Sequence, residues 1–219
     1  MTVQRDDKHR RSRRPRQRKR PPRAYVLIGM PGSGKSALGR RVAKLLEWPF
    51  IDTDDILAER AGMSVGELSA TVSNEEFRRQ EEQAVLSVKR ARQIIATGGS
   101  VVYGRQAMHH LKNIGTVIYL DHPLWMILRR IGDTTQKRGV ILQPGQRIDD
   151  VYHERKHLYR KYADIEFQTK KLSPGKSSRI LANLIRFMEE EVDTAPHASP
   201  RSPTETSTDL RRSADRGTQ

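Results

Sequence analysis

The sequence predicts an α/β protein in three layers, with a five-stranded parallel sheet between two helical layers. Three observations predict it. Short apolar runs alternate with longer amphipathic stretches between residues 24 and 192, as in a parallel sheet covered on both faces. The first apolar run ends on a glycine-rich turn that leads into a helical pattern. Acidic residues and paired glycines then stand at the ends of later runs, the edge at which such sheets hold ligands.

Each element has its own justification. Residues 24–29 (AYVLIG) are a short apolar strand ending in glycine. Leu38, Val42, Leu45 and Leu46 recur at helical spacing and predict a helix over 33–46. Residues 49–52 read as a second strand, and 75–92 as a long, charged, amphipathic helix. Residues 93–97 (QIIAT) are a third strand, ending at Gly98-Gly99, and 116–120 (TVIYL) a fourth. Pro123 suits the first turn of a helix over 123–131. Residues 164–168 supply the fifth strand and 177–190 a closing helix.

The 219 residues suit one domain with tails. Residues 1–23 carry 11 Lys or Arg against Asp6 and Asp7, a large share of the net charge of +15. With almost no apolar residues, they read as a disordered basic tail. Residues 193–219, rich in Ser, Thr, Pro and Arg, read as a second disordered tail. The domain is expected over 24–192. The chain has no cysteine, which excludes a disulfide scaffold and thiolate metal sites and fits a cytoplasmic chain. No run of ~18 apolar residues spans a membrane, and the N-terminus lacks a secretory apolar core.

Gly29-Met30-Pro31-Gly32-Ser33-Gly34-Lys35-Ser36 meets every fixed position of the P-loop pattern G-x-x-x-x-G-K-[ST]. The glycines let backbone N–H groups curl around phosphate oxygens, and the following helix points its positive end at the same anion. Lys35 can reach a transferring phosphate, and the Ser36 hydroxyl can ligate Mg²⁺. The motif alone does not choose between a kinase, a GTPase and a motor.

Further candidates each carry a bland alternative. Asp52 and Asp54, at i and i+2 on a strand end, could serve hydrated Mg²⁺ and a substrate hydroxyl, or Asp54 could simply cap a helix. Arg78 and Glu81 share a helical face and could be a solvated ion pair. Gly98-Gly99 permits close approach of a ligand, or is a tight turn. Residues 132–147 are long for a loop and read as a lid, in which Arg138 could close over phosphate, or as plain surface. Arg155 and Tyr159 lie on a later helical stretch, whose bland alternative is a charged outer face. His109-His110 read as surface residues, and no histidine has metal-ligand spacing.

Taken together these fragments resemble shikimate kinase. The residues that carry the likeness are GMPGSGKS at 29–36 with Gly39-Arg40, DTD at 52–54, FRRQE at 77–81, IATGG at 95–99, VIYL at 117–120, LRR at 128–130 and ERKHLY at 154–159 before Ala163-Asp164. They stand in the family's order and cover roughly residues 24–190. The resemblance implies a P-loop kinase fold with a mobile lid, like that of nucleoside monophosphate kinases. It implies transfer of the ATP γ-phosphoryl group to the 3-hydroxyl of shikimate, with Mg²⁺, by a monomer. It implies that Gly32, Ser33, Gly34, Lys35, Ser36 and Ala37 hold the nucleotide phosphates, that Ser36 and Asp52 serve the metal, and that Arg130 and Pro174 flank adenine. Lys35, Asp54 and Arg138 would be catalytic. Asp54, Arg78, Gly98, Gly99 and Arg155 would bind shikimate, the arginines through its carboxylate.

The chain departs from the family pattern at several points. Ser100 replaces a third glycine, and Arg138-Gly139-Val140-Ile141 stands where R-P-L-L is usual. Ser73-Asn74 replaces a Gly-Glu pair, Ser69 an aromatic, and Ala37 a threonine. Two other functions remain open. One is a same-fold kinase for another small hydroxylated carboxylate. The other is polyanion binding through the basic tail, which lacks aromatics for base stacking.

Overall fold

In the computed structural model the described residues are 23–132, 145–169 and 172–194. The strands are β1 (Ala24–Ile28), β2 (Phe50–Asp52), β3 (Gln93–Ala96), β4 (Gly115–Asp121) and β5 (Ile165–Gln168). The helices are α1 (Lys35–Leu46), α2 (Thr53–Ala61), α3 (Val65–Thr71), α4 (Asn74–Leu86), α5 (Arg105–Ile114), α6 (Leu124–Ile131), α7 (Ile148–Tyr162) and α8 (Pro174–Thr194), with a 3-10 turn at Val101–Tyr103.

All five strands pair in parallel in the order β2-β3-β1-β4-β5. β1 is central, and every residue of it is buried. Its side chains alternate between faces, as the two-residue period of a strand requires. Ala24, Val26 and Ile28 pack with Val85 of α4, Met108 and Leu111 of α5, and Val151 and Tyr159 of α7. Tyr25 and Leu27 pack with Val42 of α1 and Leu181 and Ile185 of α8. A smaller cluster, Leu57, Leu68, Phe77 and Ala84, joins α2, α3 and α4. The successive strands run to opposite sides of β1, so its C-terminal end opens on a crevice.

Differences from the sequence expectation have local causes. The helix expected to reach residue 92 ends at Leu86. Ser87 turns its hydroxyl back onto the Ala84 carbonyl at 2.7 Å, and Val88 buries itself in the core, so the chain leaves the helix to enter β3. Helix α3 was not anticipated, although Ser64 and Glu67 form a reciprocal capping box at its start. Nor was α5, whose buried Ala107, Met108, Leu111 and Ile114 stand at helical spacing. Pro123 precedes α6 as its cap residue and lies outside the first turn. Of the two adjacent histidines, His109 is exposed, while His110 is half-buried with a ring nitrogen 2.8 Å from the Val88 carbonyl oxygen.

Candidate active site

The crevice beyond β1 is a cavity of about 620 Å³. Its floor is the loop between β1 and α1. Gly32 and Gly34 take left-handed backbone angles (φ 76° and 89°), which a side chain would disfavour. Gly34 caps α1 without any side-chain acceptor, leaving the first-turn N–H groups for an anion. The Lys35 ammonium folds onto its own loop and donates to the carbonyls of Gly29 and Met30 at 2.9 and 3.1 Å. Burial lowers its pKa to about 8, against the pull of Asp54 and Asp52. Among the described residues the buried Ser33 hydroxyl has no hydrogen-bond partner, which leaves it available to a ligand of the loop.

The two acids of the DTD segment are not side by side on a strand. Asp52 ends β2 and caps α2, its carboxylate accepting from the Asp54 N–H at 3.2 Å. The helix has therefore begun before Asp54, and the cap role belongs to Asp52. Asp54 lines the cavity, and Asp55 is a solvent-facing charge near Arg40. Burial, followed by the neighbouring Asp52, raises Asp54 to about 6. Between the two acids, Thr53 accepts from the Gly98 N–H at 3.3 Å and ties the end of β2 to the end of β3.

Glu81 of α4 lines the same cavity and is buried. Among the described residues it forms no ion pair with Arg78. The solvated pair on this helix is Arg79 with Glu76 at 2.7 Å. Burial raises Glu81 to about 7, while a hydrogen bond from Ser100 pulls the other way. Gly98 and Gly99 have a steric reason to be glycine. A Cβ on Gly98 would strike the carboxylates of Glu81 and Asp54, and one on Gly99 would sit 2.5 Å from Pro31 Cδ.

Arg78 and Arg155 meet on one ring. Their guanidinium carbons lie 4.2 and 5.1 Å from the centre of Tyr103. Arg155 is 2% exposed, yet it lines the cavity, and its Nε donates to the Tyr103 hydroxyl at 3.3 Å. Tyr159 donates to the Gly99 carbonyl at 2.6 Å and stacks on Tyr119.

Comparison with known proteins shows what this arrangement belongs to. A family model described as shikimate kinase matches residues 31–189. The chain belongs to the shikimate kinase family. The shikimate kinase of Legionella pneumophila (strain Corby) is 33% identical over 172 residues, which cover 78% of this chain and 97% of that protein. That of Thermodesulfovibrio yellowstonii is 35% identical over 151 residues, 68% of this chain and 87% of the relative. Among solved structures, shikimate kinase from Acinetobacter baumannii in complex with shikimate superposes with a TM-score of 0.66 at 25% identity. The match covers 80% of this chain and 96% of that one.

Of the residues that the shikimate kinase resemblance singled out, Gly32, Ser33, Gly34, Lys35, Ser36, Ala37, Asp54, Gly98, Gly99, Arg130, Arg155 and Pro174 all line the cavity. Asp52 and Arg78 stand behind its wall, at Asp54 and Tyr103 respectively. Arg138 and the rest of residues 133–144 lie outside the described residues, as does the basic tail up to residue 22. Ser69 turns its hydroxyl onto the Gly66 carbonyl at 2.8 Å, and Val65 and Phe77 supply the apolar wall nearby. Sequence reasoning missed Tyr103, Thr169 and His122. Tyr103 had no motif around it, and neither of the others stands in a recognisable pattern. No described helix is long and apolar enough to cross a membrane.

Proposed function

We propose that this chain transfers the γ-phosphoryl group of ATP to the 3-hydroxyl of shikimate. Family membership gives the reaction class. The observation that carries the assignment to this chain is that Lys35, Asp54 and Arg155 line a single cavity, phosphate side and acceptor side together.

Lys35 leaves its loop carbonyls for the β- and γ-phosphates, and the bare first turn of α1 donates to the same oxygens. Asp54 accepts the proton of the attacking hydroxyl. Its raised pKa of about 6 leaves it ionised at neutral pH and basic enough for the task. Arg155 and Arg78, organised by Tyr103, hold the shikimate carboxylate. Tyr159 holds the backbone of Gly99, beside which the ring lies. Arg130, which reaches the phosphate-loop carbonyl of Ser33, and Pro174 flank adenine. The family resemblance assigns Arg138, outside the described residues, to the phosphates.

The donor set suits Mg²⁺. Among the described residues no cluster of three acids or histidines could hold an ion by itself. A hard cation that keeps waters and shares phosphate oxygens needs only the Ser36 hydroxyl and a carboxylate such as Asp52. When bound, Mg²⁺ neutralises charge on the phosphates. Deletion of the basic tail should leave the activity intact.

The test is ADP release from MgATP with and without shikimate, for the wild type and Asp54→Ala. Release that requires shikimate and vanishes in the variant supports the assignment. ATP binding with no response to shikimate would transfer it to another hydroxylated carboxylate.

A further inference from the structure

His122 stands outside every motif used above. It follows β4 and is 3% exposed, yet it lines the cavity. Its Nε2 lies 2.8 Å from the Ser33 carbonyl oxygen. The Thr169 hydroxyl, just past β5, lies 3.0 Å from the ring nitrogens. The backbone of His122 is held too, since Tyr152 of α7 donates to its carbonyl at 3.0 Å. The ring therefore joins the phosphate loop to the ends of β4 and β5.

The shorter contact favours one tautomer, since Nε2 lies 2.8 Å from the Ser33 carbonyl, an acceptor, and 3.3 Å from Arg130 Nη1, a donor. The Ser33 carbonyl can only accept, so in that tautomer the nitrogen facing it carries hydrogen. Nδ1 is then the acceptor, and the Thr169 hydroxyl donates to it. A second ring proton would put a positive charge beside Arg130, whose Nη1 lies 3.3 Å from Nε2. Burial and that guanidinium both hold the His122 pKa below its ordinary value, in keeping with a neutral ring.

The consequence runs through one peptide group. A trans peptide is planar, and its C=O and N–H point in opposite directions. The Ser33 carbonyl is held by His122 at 2.8 Å and, less closely, by Arg130 at 3.3 Å. The N–H of Gly34, on the same peptide plane, must point the opposite way, and the left-handed angle of Gly34 accommodates this. An unrestrained Ser33–Gly34 peptide could flip and present its oxygen to an anion, a repulsive arrangement. We propose that His122 is a positioning residue of the phosphate cradle, fixing the Ser33 carbonyl so that the Gly34 N–H faces the bound nucleotide phosphates. This rests on the kinase reading above and deepens its nucleotide half.

The experiment is calorimetric titration of the purified full chain with three probes, MgADP, Mg-pyrophosphate and shikimate. The variants are His122→Phe, which keeps a planar ring and removes the donor, and His122→Gln, which restores an N–H. His122→Phe should weaken MgADP and Mg-pyrophosphate roughly tenfold, the scale of one hydrogen bond, with shikimate affinity changed less than twofold. His122→Gln should recover most of the loss. Uniform weakening of all three probes would mean a merely structural role, and unchanged MgADP affinity in a folded His122→Phe would also overturn the proposal. If His122→Phe does not fold, Thr169→Val frees the tautomer without touching the ring. It should weaken the phosphate probes about threefold, and no change would again overturn the inference. A wild type that binds none of the phosphate probes would refute the kinase reading itself.

Discussion

Arg155 donates from Nε to the Tyr103 hydroxyl at 3.3 Å, and the same ring lies beneath the guanidinium of Arg78 at 4.2 Å. Two guanidinium groups gathered at one ring suit an anionic ligand. Tyr103 should therefore govern the carboxylate substrate and leave the nucleotide alone. Tyr103→Leu should raise KM for shikimate about tenfold, the loss of a cation–π contact plus a charged hydrogen bond. KM for ATP should stay within twofold. Tyr103→Phe keeps the ring and should fall between. Steady-state kinetics with each substrate varied checks this, and equal movement of both constants would remove Tyr103 from the acceptor site.

Two groups of the cavity titrate on either side of neutrality. Asp54 must be ionised to accept a proton, and its pKa is raised to about 6. Lys35 must be charged to draw phosphate oxygens, and its pKa is lowered to about 8. A plot of kcat/KM against pH should rise through about 6 and fall through about 8, with a narrow plateau between. Lys35→Arg keeps its charge at high pH. If that variant retains measurable activity, its alkaline limb should move upward while its acid limb stays.

Glu81 makes the fold sensitive to pH in the opposite sense to a salt-bridged carboxylate. Its folded pKa of about 7 lies above the ordinary glutamate value, so the folded state binds the proton more tightly than the unfolded chain does. Stability is then highest below about pH 4.5 and is lost as pH rises through 7. The penalty at pH 8 is on the order of 3 kcal/mol. Glu81→Gln, which can still accept from Ser100, should raise Tm at pH 8 and lose that advantage at pH 5. Calorimetric melts at the two pH values decide it, and an advantage equal at both would show that Glu81 is ionised throughout.

The phosphate half of the site was legible because one loop of consecutive residues builds it, so the glycine spacing and Lys35 carry its geometry in the sequence. The sheet was legible for a related reason, since the buried runs of β1, β3 and β4 between helical patterns leave few topologies. What stayed hidden depends on distant segments. Tyr103 acquires its role only when α4 and α7 bring Arg78 and Arg155 to it. His122 acquires its role only because β1 and β4 are neighbours, which sets it against Ser33, 89 positions away. Asp52 and Asp54 show a smaller failure of the same kind. Their two-residue spacing suggested one strand face, but the backbone turns helical between them, and their roles divide.

Gly98 and Gly99 are adjacent, yet their missing side chains serve opposite halves of the reaction. A Cβ on Gly99 would lie 2.5 and 2.7 Å from Pro31 Cδ and Cγ. The proline ring cannot rotate away, so the phosphate loop itself would have to shift. A Cβ on Gly98 would instead press on the carboxylates of Glu81 and Asp54. Overpacking of this kind costs ~1–3 kcal/mol, and about 1.4 kcal/mol, in the lower half of that range, is already tenfold in an equilibrium constant. Gly99→Ala should therefore weaken MgADP about tenfold with the smaller change in kcat, while Gly98→Ala should lower kcat at least tenfold with MgADP affinity nearly intact. Adding Glu81→Ala to Gly98→Ala removes the nearer of the two obstructing carboxylates and should recover part of kcat only if the collision, rather than the loss of glycine's flexibility, is the cause. Gly98 has an ordinary backbone angle that alanine can adopt, since its φ is not among the positive values of this chain. Recovery in the double variant is thus the expected result, and its absence would place the defect in the backbone between β3 and the 3-10 turn.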